Sequence, residues 1–130
     1  MDAAALRAFC LTLPGAFEDY PFGPETAVYK VGAAVDGDKH PPKVFALSAL
    51  RASPLSVSLK CEPVLAQQLR QAHPQITGAF HLNKKHWNGV ILDGLPDAMI
   101  RDMVEDSYDL VVASLPRRQR EQLGWSRLSR

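Results

Sequence analysis

Leu55-Ser56-Val57-Ser58-Leu59-Lys60 alternates apolar and polar residues without a break. A period of two puts Leu55, Val57 and Leu59 on one side of a strand and Ser56, Ser58 and Lys60 on the other. Such a strand belongs to a sheet with one face on a core and the other polar and uncovered, the arrangement that antiparallel sheets allow. The polar face is then available as a working surface opposite the helices.

Upstream, Ala27-Val28-Tyr29-Lys30-Val31 and Val44-Phe45-Ala46-Leu47 are rich in β-branched and aromatic residues and read as two antiparallel strands. Residues 32–43 between them hold Asp36-Gly37-Asp38 and Pro41-Pro42, so they read as a flexible polar hairpin tip. Asp36, Asp38 and His40 match neither a calcium loop nor a zinc spacing. Before these strands, residues 2–13 predict a helix burying Leu6, Phe9, Cys10 and Leu13, with Asp2 at its positive end. Phe17 to Pro24 reads as an irregular segment whose aromatics dock on the body, with Glu18 and Asp19 in a solvated turn. Downstream, Pro63 suits the first turn of a helix running to about Ala72, with Leu65, Leu69 and Ala72 as its inner stripe. Trp87 to Leu92 predicts a further strand. A final helix spans about 96–114, burying Ile100, Met103, Val104, Ser107, Leu110 and Val111 and turning its acids mostly outward.

The order is helix, three strands, helix, strand, helix. It predicts an α+β protein, with helices on one face of a mostly antiparallel sheet. A chain of 130 residues is one domain in size. Residues 1–115 form the expected domain, with net charge −3, and residues 116–130 form a basic tail with arginines at 117, 118, 120, 127 and 130. That tail has too little apolar content to fold by itself. No apolar run approaches the ~20 residues that span a bilayer. Cys10 and Cys61 belong to no CxxC pair, so free thiols in a reducing cytoplasm are expected.

His81-Leu82-Asn83-Lys84-Lys85-His86-Trp87-Asn88 concentrates two histidines, two lysines, two amides and an indole between a helix and a strand. This string, with Leu92-Asp93-Gly94 and Ser107-Tyr108-Asp109-Leu110-Val111-Val112-Ala113, closely resembles the MmcQ/YjbR family. Tyr20-Pro21-Phe22-Gly23, Val28-Tyr29-Lys30-Val31 and Leu55 to Cys61 match its earlier segments, so the resemblance runs from Leu6 to Leu115. It implies the CyaY-like fold, an antiparallel sheet flanked by helices. It also implies a DNA-binding label that rests on a proposed double-wing arrangement. Here the 32–43 tip is longer than a simple turn and carries Asp36 and Asp38, which oppose a phosphate-facing role.

The chemistry expected of the 81–88 loop is binding. His81, Lys84, Lys85 and His86 supply positive charge, Asn83 and Asn88 supply hydrogen bonds, and Trp87 offers a stacking face. Lys60 joins them if its strand neighbours the Trp87 strand. Arg117, Arg118 and Arg120 add attraction from the tail. The leading expectation is weak binding of nucleic acid with little sequence preference. Two alternatives stand beside it: a small anionic metabolite held by Lys60, Lys84, His86 and Asn88, and an acidic protein partner held by the tail. A concave pocket enclosing those four side chains would favour the metabolite. No nucleophile elbow or phosphate-cradling glycine loop is present, and His81 and His86 lack the i, i+4 spacing of a helical metal pair. Neither a metal nor a cofactor is expected, and catalysis less so than binding.

Overall fold

The structure, a computed structural model, describes residues 1–125. Asp2 caps the first helix, α1 (Ala3–Thr12), by accepting from the Ala5 N–H at 2.8 Å. Then come β1 (Ala16–Asp19), β2 (Ala27–Val31), β3 (Lys43–Ser48), β4 (Ser56–Lys60), α2 (Pro63–Ala72), β5 (Ile76–Gly78), β6 (Trp87–Ile91), α3 (Asp97–Ala113) and α4 (Arg117–Gln122). The strands form one sheet in the order β1-β2-β3-β4-β6-β5, and every pairing is antiparallel. The helices pack on one face, and the core lies between them and the sheet.

The alternation in β4 holds. Val57 and Leu59 are buried in the core, while Ser56, Ser58 and Lys60 face away. Register carries that split across the sheet. Leu47 lies opposite Ser58, and Trp87, Gly89 and Ile91 lie opposite Lys60, Ser58 and Ser56, so all of these share the open face. The open face is therefore mixed in character, with an indole and aliphatic side chains between the hydroxyls.

Two strands escape the sequence pattern. Residues 16–19 form β1 because Glu18 and Asp19 are paired where a solvated turn was expected. Glu18 accepts from Arg7 at 2.8 Å and from the Tyr29 hydroxyl at 3.0 Å, and Asp19 pairs with Lys30 at 2.7 Å. Burial alone would push the Glu18 carboxyl up, but hydrogen bonds from Arg7, Tyr29 and Tyr20 outweigh it and hold the group below its ordinary range. The aromatics of this region stay out of the core, with Phe22 being 74% exposed. The three-residue β5 is too short to show a period.

The helices also depart from expectation in detail. Ala66, rather than Leu65 or Ala72, is the buried residue of α2. On α3, Asp109 is buried and accepts from the Trp125 indole N–H at 3.1 Å, whereas Leu110 is only half-buried. Residues 116–125, whose composition cannot fold alone, pack on the body. Leu123 sits so close to Gly15 that a Cβ there would meet it at 2.2 Å, and Gly15 also has a left-handed φ of 72°.

Helix α4 ties down the 32–43 tip, which sequence alone suggests is flexible. Gln119 is 1% exposed; its carbonyl accepts from the Ala33 N–H at 3.2 Å, and its amide donates to Asp38 at 3.3 Å and to the His40 carbonyl at 3.2 Å. Gln119→Ala is therefore expected to destabilise the protein by about 2 kcal/mol and to open the tip to proteases. Urea denaturation with limited proteolysis checks this. Unchanged stability and an uncut tip would mean that water replaces the amide without loss.

Candidate nucleic-acid interface

The 79–88 segment crosses from β5 to β6 as a tight turn built by Asn83. Its backbone carbonyl accepts from the His86 N–H at 3.1 Å and the Trp87 N–H at 2.9 Å, and its side chain accepts from the Lys85 N–H at 2.9 Å. An asparagine closing its own turn in this way fixes the loop locally. Asn83 thus works on the backbone of the loop. The His86 carbonyl accepts from the Cys61 N–H at 2.7 Å, which extends the β4–β6 ladder to the loop's end.

The second anchor is Arg70 on α2. Its Nε donates to Asn88 Oδ1 at 2.6 Å, and its Nη2 donates to the carbonyls of Lys84 and of Trp87, the latter at 3.3 Å. One planar guanidinium thereby holds both ends of the turn. Asn88 is 2% exposed on the core face of β6, where its amide also reaches the Ala66 carbonyl at 3.5 Å. It is a buried cross-brace and does not share the surface expected for it.

These constraints divide the sequence-predicted residues between two sides of the loop. Lys84 and Lys85 line a hollow of about 380 Å³ against α2, together with Arg70, Gln67, Pro63 and Val64. The Lys84 stem runs across Gly78, where a Cβ would stand 2.9 Å from Lys84 Cγ, so any larger residue there would displace the stem. On the open face, Lys60 lies directly opposite Trp87, as the sequence reading required, and Trp87 is half-buried. A groove of about 470 Å³ lies on that face too, with Phe22, Phe80, His81, Ser56 and Ser58 among its walls. Phe80 is 78% exposed, and its ring centroid is 4.0 Å from that of His81. His81 has a φ of 63°, the one non-glycine left-handed residue among those described.

Lys60, Lys84, His86 and Asn88 consequently do not enclose one pocket. The tail arginines are partly engaged: Arg117 pairs with Glu121 at 2.8 Å, and Arg118 donates to the Asp36 carbonyl at 3.0 Å.

The sequence reading missed Arg70, Phe22 and Phe80. Arg70 is the one charged residue of α2 and reads as solvated, and nothing local announces its partners 14 to 18 residues away. Phe80 carried a signal, being an aromatic beside the polar string without a periodic apolar neighbour. Burial pushes the thiol of Cys10 up to about 12 and that of Cys61 up to about 11, so neither is a poised nucleophile. Among the described residues, no three of His, Cys, Asp and Glu gather to hold a metal ion, and no helix is long and apolar enough to cross a membrane.

A family model described as YjbR matches residues 11–110. The chain belongs to the YjbR family. It is 36% identical over 124 residues to the uncharacterized protein YjbR of Escherichia coli strain K12, covering 95% of this chain and 98% of that one. It is 34% identical over 119 residues to the uncharacterized protein YbdF of Escherichia coli O157:H7, covering 90% and 89% of the two chains. Among solved structures, a Deinococcus radiodurans protein with the family domain DUF419 is similar, with a TM-score of 0.85, 38% identity and 96% and 89% of the chains covered. A Pseudomonas syringae protein is similar with a TM-score of 0.68, 27% identity and 85% and 99% covered. These YjbR-family likenesses carry the fold and no specific activity.

Proposed function

We propose that this YjbR-family protein binds single-stranded nucleic acid with little sequence preference. The observation that carries the reading is the partition of one rigid loop. An exposed stacking ring, Phe80, stands at its start on the open face, and Lys84 and Lys85 stand three and four residues after His81, beside Arg70. Unpaired bases present faces that an exposed phenyl ring can stack on, and their phosphates need a nearby cationic hollow. A duplex hides those base faces. The 32–43 tip does not help a duplex-reading wing, because α4 holds it and it bears Asp36 and Asp38.

The −3 charge of residues 1–115 makes attraction local to the hollow, since salt screens charges beyond about 10 Å at 0.1 M. Lys84→Ala with Lys85→Ala is therefore expected to weaken binding of an oligothymidylate and to reduce its salt slope by about 1.4, the share of two phosphate contacts on a single strand. Fluorescence anisotropy across a salt series measures both quantities. An unchanged slope in the folded double variant would remove the loop from the interface. A chain ending at Leu115 is a poor control, because it also removes Gln119 and Leu123, which pack on the body.

The metabolite alternative gains nothing from this arrangement, since Lys60 lies on the open face, Asn88 is buried on the core face and Lys84 lines the hollow against α2.

A further inference from the structure

We infer that the groove on the open face is a subsite for one unpaired nucleobase, stacked on Phe80 with its edge toward the hydroxyls of Ser56 and Ser58. The inference rests on the nucleic-acid reading for its choice of ligand and adds to it a seat for the base.

Three features of the groove point to a neutral ring. No Lys, Arg, Asp or Glu lines it, whereas the hollow across the loop is lined by Arg70, Lys84 and Lys85. The two sites thus divide a nucleotide's chemistry, an uncharged ring on one side and a phosphate on the other. The groove's volume of about 470 Å³ lies in the range of small-ligand sites, and its rim carries Phe22 and Phe80 at 74% and 78% exposure. Each phenyl ring forgoes roughly 1.5–3 kcal/mol of burial by standing in water. A flat ring stacked on it would recover part of that.

The rim is also strained. His81 holds a left-handed φ of 63° next to Phe80, in a conformation uncommon for residues with a Cβ. Such conformations persist where the surroundings impose them and gather at ligand-facing positions. Here the Asn83 turn imposes it from one side and the buried Ala79, whose N–H donates to the Trp87 carbonyl at 3.1 Å, from the other. On the floor, the side chains of Ser56 and Ser58 stand two residues apart on one strand, about 7 Å along it. Neither hydroxyl makes a hydrogen bond to the protein among the described residues. Both are therefore open to the donors and acceptors of a base edge.

The test is a titration of isotopically labelled protein with adenosine, guanosine, cytidine and uridine, which carry no phosphate, followed by NMR. The expected result is saturable shifts confined to Phe22, Phe80, His81, Ser56 and Ser58. Phe80→Ala should lower nucleoside affinity at least about fivefold, as loss of one stacking partner does. Phe17→Ala, on the open face but outside the groove, should not change it. Absent or scattered shifts, or shifts indifferent to Phe80→Ala, would overturn the subsite. An abasic oligonucleotide separates the two readings. If it binds as tightly as the intact strand, the loop reading stands and the base subsite falls. If nucleosides saturate the groove while no strand binds at low salt, the groove stands and the nucleic-acid reading falls.

Discussion

Ser107→Ala is expected to destabilise the protein by about 3 kcal/mol. Strand β3 bulges at Phe45, where its register against β2 shifts, and only Ala46 and Leu47 are then paired with β4. The ladder is completed by helix α3. Ser107, fully buried, accepts from the Lys60 N–H at 2.9 Å and donates to the Phe45 carbonyl at 2.6 Å. Removing the hydroxyl leaves a buried donor and acceptor without their partner, and each such group costs about 1–3 kcal/mol. Ser114→Ala at the exposed end of α3 is the matched control. Chemical denaturation measures the difference. A loss under about 1 kcal/mol for Ser107→Ala would show that β3 and β4 close their own ladder when the helix withdraws.

The second large effect is expected at Arg70. Arg70→Ala strips the partner from the buried Asn88 carbonyl oxygen and frees the carbonyl of Lys84, while that of Trp87 keeps the Ala79 N–H. Hydrogen bonds from a charged donor contribute about 1.5–3 kcal/mol each, and part of the loss is recovered where the loop meets water. A destabilisation of about 2–4 kcal/mol follows, with faster amide exchange at His86 and Trp87, whose N–H groups both close on Asn83. Arg70→Lys keeps the charge without the planar fork and should recover less than half. In a double-mutant cycle, Arg70→Ala and Asn88→Ala should be coupled by at least ~1 kcal/mol. Additive effects would mean that the guanidinium and the amide act separately.

Arg70 also shows why the candidate site was only partly legible. The sheet with an uncovered face follows from six residues, because a period of two is a local property of the chain. The loop was legible as a dense polar string and both strands were identified by pattern, but that Lys60 pairs with Trp87 came from the sheet order, which the pattern left open. What each loop residue does depended on partners far away in sequence. Asn88 turned inward because β6 continues the alternation into the core face, one residue past Trp87. The two asparagines were expected to hydrogen-bond a ligand, yet both bond within the protein itself. Phe22 was expected to dock on the body and Phe80 went unnoticed, because aromatics near turns normally dock on a core, and only the structure shows these two left outside it.

The C-terminal residues teach a related lesson. An Arg-rich segment with little apolar content cannot fold alone, and it does not have to. Gln119 supplies the hydrogen bonds that the 32–43 tip lacks, while Leu123 and Trp125 supply the packing. Arg127 and Arg130 lie outside the described residues.

The most direct test of the central claim compares one oligonucleotide with its own duplex, both labelled, against the full chain at low salt. The loop with its exposed Phe80 and its cationic hollow predicts binding of the single strand at least about fivefold tighter than the duplex, since stacking on one base contributes about 1–3 kcal/mol that a duplex cannot supply. Equal affinity for the two, a preference for the duplex, or no binding of either would contradict it.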